Sequence, residues 1–219
     1  MEGREHTGVL VIMNATKNPA KAAEWNDWYE NVHMPEILAT KVFSTGSRFK
    51  AMPGAKTLGD STNLALYETS RQDVAGAWDE LRKALGANPQ PSTPRPESIV
   101  SLVSTHTLIS AHGQAVGKKA NGALVVLANL IDETKWDEYT EWLTQHHIPE
   151  IIQTGAFYAA TRYRTNDPQE GQAHLLVIYE TELRDPAEAM KKLEAARDTM
   201  TPNRGYTSVV AMAAYARTK

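Results

Sequence analysis

Two stretches of the chain set a histidine among the same neighbours. Trp28 to Thr40 reads WYENVHMPEILAT and Trp142 to Thr154 reads WLTQHHIPEIIQT. They agree at six of thirteen positions: Trp28/Trp142, His33/His147, Pro35/Pro149, Glu36/Glu150, Ile37/Ile151 and Thr40/Thr154. Average composition gives roughly one match by chance. An unperturbed imidazole titrates near pH 6.5, so His33 and His147 could accept and return a proton. Helical spacing puts His33 four residues after Tyr29, on the same face. Pro35 has no N–H to donate, so it interrupts helix bonding and frees a carbonyl near residue 31. Capping that freed backbone is a structural use of the same imidazole, and it would keep the residue in both copies.

Other residues could serve such a base. Tyr29 is a phenol beside His33, and its counterpart is Leu143; Asn14 lies near the end of the first strand, opposite Ala128. Either could polarise a carbonyl oxygen. Glu36, three after His33, could orient the ring, and Arg48/Arg162 could grip a carboxylate or pair with Glu36. Trp25, Trp28, Tyr67 and Trp78 would line a pocket and exclude water, although helical spacing also fits a plain core. These differences favour the first copy as the working site, with His147 in a second that is degenerate or structural. His6, His106, His112 and His174 are scattered, with no metal-binding spacing. No glycine-rich nucleotide loop and no serine nucleophile elbow occur.

The elements that position these residues repeat as well. The offset of 114 also aligns Gly8–Met13 with Gly122–Leu127, and Phe43 and Arg48 with Phe157 and Arg162. It falls to 112 at Tyr67-Glu68-Thr69 over Tyr179-Glu180-Thr181, so a loop between the second and third strands is two residues shorter in the second copy. A period of this size is a domain, not a solenoid unit. The pattern predicts strands over 8–15, 43–52, 62–68 and 99–110. It predicts helices from Asn18-Pro19 onward and over 73–85, with an irregular Pro-rich excursion at 87–97. The second copy predicts strands over 123–130, 156–164, 173–180 and 206–216, with helices over 134–154 and from Pro186 to about 200. The division is residues 1–110, a linker at 111–121, and residues 122–219. The order β-α-β-β-α-β is ferredoxin-like, an antiparallel sheet with both helices on one face. Each bare sheet face needs a cover, so the expected fold is α+β: two tandem ferredoxin-like repeats closing a pseudo-symmetric barrel.

Net charge is -3 with acids and bases mixed, there is no cysteine, and no basic stripe suits nucleic acid. No apolar run reaches the 18 residues of a membrane span, and the N-terminus lacks the apolar stretch of a secretory signal. A cytoplasmic protein taking a small-molecule substrate is expected; a homodimer of the whole chain stays open.

The Trp-x-x-Trp-Tyr-x-x-x-His-x-Pro-Glu pattern after a short apolar strand resembles the dimeric α+β barrel superfamily, and within it the EthD-like domains. That likeness covers both repeats. It implies a cleft between sheet and helices of each unit, and relatives that include isomerases, cyclases, dehydratase-like proteins, monooxygenases and haem-dependent enzymes. The reading is a cofactor-independent enzyme using His33 as acid and base on a small cyclic or aromatic carbonyl compound, by isomerisation, dehydration, cyclisation or decarboxylation. The alternatives are a haem- or oxygen-using monooxygenase and a non-catalytic small-ligand module.

Overall fold

The computed structural model describes residues 1–87 and 96–218. The first repeat runs β1 (Gly8–Thr16), α1 (Ala22–Trp28), α2 (Met34–Ala39), β2 (Thr45–Ala51), β3 (Asn63–Thr69), α3 (Ala77–Ala87) and β4 (Ser98–Gly113). The second runs β5 (Gly122–Leu130), α4 (Trp136–Trp142), α5 (Ile148–Gln153), β6 (Ala159–Thr165), β7 (Leu175–Thr181), α6 (Pro186–Ala196) and β8 (Thr207–Arg217). The β2–β3 connection spans residues 52–62 and its counterpart 166–174, which is where the two-residue deletion falls.

The eight strands close one antiparallel barrel in the order β1-β3-β2-β8-β5-β7-β6-β4. β4 pairs with β1 in its own repeat and then with β6 of the other, while β8 pairs with β5 and with the end of β2. Alternation along each strand divides the side chains into layers. Val9, Val11 and Met13 point into the barrel with Val125 and Tyr215, whereas Leu10 and Ile12 point out to the helices. Three cores result: the barrel interior and one helix–sheet layer per repeat.

The repeated glycines Gly8 and Gly122 let the second helix approach the sheet. A Cβ there would meet Val74 and the His106 carbonyl in one repeat, and Pro186 and the Tyr215 carbonyl in the other. The repeated glutamates of the third strands are buried, and they tie down the N-terminal segment. Glu68 accepts the Met1 ammonium at 2.8 Å and Arg4 Nε at 2.6 Å, and Glu180 accepts the Glu2 amide and the Tyr158 hydroxyl.

Local departures from the sequence pattern have local causes. The expected single first helix is split, as described below. Phe43 lies under the helices instead of starting β2, which begins at Thr45. α3 starts at Ala77 because Asp73 Oδ1 accepts the Gly76 amide at 2.9 Å, making a turn first. β4 continues to Gly113. Most of the Pro-rich excursion, residues 88–95, lies outside the described residues. Among the described residues no helix is long and apolar enough to cross a membrane.

Candidate functional site

Each duplicated histidine ends a single wide helical turn. Over Tyr29–His33 and Leu143–His147 the bonding widens to i→i−5, with Met34 N–H donating to the Tyr29 carbonyl and Ile148 N–H to the Leu143 carbonyl. The cause is the proline that follows. Pro35 and Pro149 cannot donate, and in a regular helix their rings would strike the carbonyl four residues back. The wide turn brings together residues five apart, which an α-helix would hold roughly 140° apart. His33 stacks on Trp28 at 4.7 Å, and His147 stacks on Trp142 at 4.6 Å. The duplicated Trp and His thus form one unit, which α-helical spacing did not reveal.

In the second repeat this unit lines a cavity of about 290 Å³ between sheet and helices. Its floor is Leu124, Val126 and Ala128 of β5 with Val177 and Tyr179 of β7, and its lid is Tyr139, Leu143, Met190 and Met200. His147 is half-buried. Among the described residues its Nδ1 is buried without a hydrogen-bond partner, so Nε2 is the nitrogen left to meet a ligand in the cavity that His147 lines. Burial holds the imidazole below its usual value, against a small upward pull from Glu150. The ring is therefore neutral at pH 7 and able to accept a proton.

Tyr179 and Tyr139 are buried phenols that burial pushes above the usual range, so both stay protonated donors. In the first repeat Tyr67 donates to Tyr29 across 3.1 Å. Tyr179 has no such partner, because Leu143 stands where Tyr29 does. Behind the two phenols lies Arg162, 2% exposed, with its guanidinium 5.9 Å from the Tyr139 ring. Among the described residues its side-chain hydrogen bonds go to Ser110 Oγ at 3.5 Å and Thr140 Oγ1 at 3.4 Å. Among the described residues no carboxylate lies within ion-pairing distance of it. Its counterpart Arg48 does have one: Glu30 at 3.2 Å, with Asn26 Oδ1 at 2.8 Å. Thr144 and Thr140 occupy those two positions in the second repeat.

Glu150 does not orient the imidazole. Its carboxylate accepts Thr201 N at 2.9 Å and Thr201 Oγ1 at 2.7 Å, while Trp142 Nε1 donates to the Thr201 carbonyl at 3.2 Å. Two motif residues thus pin the segment after α6 whose Met200 and Asn203 close the cavity.

The first-repeat candidates cluster without lining this cavity. Trp25, Trp28, Tyr29 and Tyr67 form one buried group with Trp78 packed against it, and Arg48 lies 4.9 Å over Trp25 and 4.4 Å over Tyr29. Arg48 pairs with Glu30 rather than Glu36, which stays half-buried on the next turn. Asn14 is buried at the end of β1 with its Oδ1 unpartnered. The bulkier set Trp25, Tyr29 and Trp78 replaces Tyr139, Leu143 and Met190, so this layer holds more ring than its counterpart. The sequence favours the first copy as the working site; among the described residues, a cavity lined by one of the two motif histidines lies in the second repeat. The segment matching Met200–Asn203 of the second repeat falls within 88–95, outside the described residues.

A chlorite dismutase-like protein superposes with TM-score 0.57 at 12% identity, covering 98% of this chain and 96% of that one. A variant of chlorite dismutase from Candidatus Nitrospira defluvii gives 0.54 at 9% identity, covering 98% and 93%. A major regulator of staphylococcal pathogenesis gives 0.50 at 12%, covering 96% and 99%. This chain has the dimeric α+β barrel fold. At these identities the likeness is one of architecture, and enzymes and a regulator share it. The family described as a domain of unknown function, DUF4286, matches residues 126–203, which include most of the residues lining the cavity. No curated protein matches the chain by sequence.

Proposed function

We propose that the second-repeat cavity is the active site of a cofactor-independent enzyme, in which His147 moves a proton at the carbon next to the carbonyl of a small, mostly apolar, ring-bearing compound. The observation that carries the reading is an imidazole with an open nitrogen lining an apolar void backed by phenols and an uncompensated guanidinium. A cavity of about 290 Å³ suits one or two rings. His147 Nε2 takes the proton. Negative charge then grows on the carbonyl oxygen, where Tyr179 or Tyr139 donates to it, and Arg162 behind them lowers the cost of that charge. The apolar walls and the pinned Thr201 segment keep water from the anion. The same proton transfer underlies isomerisation, dehydration, cyclisation and decarboxylation. The Tyr29-x-x-x-His33-x-Pro35 element of the first repeat resembles that of EthD-like domains, and the second repeat keeps its His147-x-Pro149 part with Leu143 in place of the aromatic residue.

A haem held by His147 is the competing use of the site. One imidazole is donor enough for an iron, but a tetrapyrrole is larger than the ligands that a void of about 290 Å³, narrowed by Leu143, Met190 and Met200, takes. The residues do not fit that group as they are placed, and a monooxygenase reading that requires it is disfavoured.

The test is deuterium uptake from D2O into a panel of cyclic ketones and aromatic carbonyl compounds, read by mass spectrometry. His147→Ala should lose two to four decades of the rate while staying folded, roughly 3–5 kcal/mol of transition-state stabilisation. Wild-type exchange in His147→Ala, or loss only in His33→Ala, refutes the assignment. Tight ligand binding with no exchange in the wild type would leave a binding module.

A further inference from the structure

A second cavity, of about 200 Å³, opens at the barrel end opposite the N-terminal segment, apart from the one that His147 lines. Its wall carries Ser104 and His106, two residues apart on β4 and so on one face, and Thr165, directly across on β6. The hydrogen bonds have only one consistent direction. Thr165 Oγ1 lies 2.7 Å from the Ala173 carbonyl, which can only accept, so the threonine proton is committed there. Thr165 Oγ1 is also 3.1 Å from His106 Nδ1, and having no proton left it must accept, which puts the imidazole proton on Nδ1. Nε2 is then a lone pair, and Ser104 Oγ, 2.7 Å away, must donate to it. The result is a hydroxyl whose proton already points at a base, with the base held in one tautomer by a third group. That is the arrangement of an activated nucleophile. Ser104 keeps 9% of its surface open and lines the cavity. The second repeat has Ala213 and Tyr215 at the matching places, so the arrangement is confined to one side.

We propose that Ser104 is a nucleophile that takes up a small acyl or phosphonyl group from an activated donor at this barrel end, with His106 as its base and Thr165 as a positioning residue. The Ser104 Oγ–carbon or Oγ–phosphorus bond forms, the bond to the leaving group breaks, and the hydroxyl proton passes to His106 Nε2 and on to the leaving group. Apolar walls from Leu58, Leu102, Leu127 and Val210 fit a short aliphatic chain. His106 is fully enclosed, and burial lowers it to about 3. It is thus neutral throughout the working range, and charging it is costly. The site therefore serves donors with good leaving groups rather than amides.

The probe is an alkyl fluorophosphonate with a short chain, which releases fluoride. Adduct formation is followed by intact mass and located by peptide mapping. One adduct on Ser104 is expected in the wild type. It should be absent in Ser104→Ala, at least tenfold slower in Thr165→Val, which keeps the shape and frees the imidazole tautomer, and unchanged in His147→Ala, which separates this site from the other cavity. Absence of an adduct on Ser104 in the folded wild type, or equal rates in the wild type and Thr165→Val, overturns the proposal.

Discussion

Arg48 and Arg162 occupy the same place in two copies of one motif, and replacing each with methionine should move stability in opposite directions. Arg48→Met removes the contact to Glu30 at 3.2 Å and the bond to Asn26 Oδ1 at 2.8 Å. It also removes the stacking on Trp25 and Tyr29, and takes this cation from a carboxylate whose side chain is 15% exposed. Charged hydrogen bonds are worth about 1.5–3 kcal/mol each, and breaking a buried pair costs about 3–5. Discounted for the exposure of Glu30, the loss should be about 2–4 kcal/mol. At about 2–4 °C per kcal/mol for a chain of this size, Tm should fall by roughly 4–16 °C. Arg162→Met removes two contacts at 3.4 and 3.5 Å and a buried charge without a counter-ion. Its expected effect runs from nothing to a gain of about 2 kcal/mol, with Tm level or a few degrees higher. Deuterium exchange should nevertheless fall by at least tenfold, because the charge behind the phenols is gone. Thermal unfolding by circular dichroism in a buffer of weakly binding anions, beside the exchange assay, reads both effects. If Arg162→Met loses as much Tm as Arg48→Met, the guanidinium is neutralised within the protein and the electrostatic argument fails.

Other consequences can be checked singly. Leu143→Tyr should rebuild the first repeat's phenol pair in the second, fill part of the cavity and abolish ligand binding there; unchanged affinity by calorimetry would count against this location. Burial depresses His147, so the exchange rate should rise with pH at a midpoint below 6.5 and stay flat through neutrality, and a midpoint above 6.5 contradicts the site's electrostatics. His106 is lowered to about 3 while its unfolded value is 6.5, so the unfolded chain binds more protons between those limits. Its stabilising term is complete above pH 6.5 and declines as pH falls. About 2 kcal/mol should be lost at pH 5. Urea titrations at pH 7 and pH 5 should show His106→Gln losing about that much less than wild type, and equal losses would refute it. Haemin added at one equivalent should give no Soret band of a histidine-ligated haem, and a stoichiometric one would overturn the volume argument.

The fold was legible because the chain states it twice: a shared strand, Trp, His and Pro at one offset, and the Tyr-Glu-Thr segment at another, fix element order and the position of the deletion. Less was legible in the site. Regular helical spacing paired Tyr29 with His33 but could not show the Trp28–His33 stack, because the turn that Pro35 forces has another period. Glu36 looked like a ring-orienting group; its counterpart Glu150 instead holds Thr201, fifty-one residues later, a contact of tertiary origin. The missing acid of Arg162 could have been read directly, since Thr144 stands where Glu30 does. Tyr29 drew attention to the first repeat, although the same comparison shows that smaller side chains leave the room in the second. Ser104 and His106 carried no recognisable motif, because their third partner, Thr165, sits fifty-nine residues later on the neighbouring strand β6.

In a barrel assembled from two identical subunits, every substitution appears twice, so a change that opens a pocket also weakens the mirror position. Here β4 and β8 stitch both halves into one closed strand circuit within a single polypeptide, and the halves are free to differ. One can retain its ion pair and its packed rings as ballast while the other gives up a carboxylate and an aromatic side chain in exchange for reactivity. Splitting the chain at the 114–121 connection and co-expressing the pieces would keep that asymmetry; forcing either half to pair with itself would erase it.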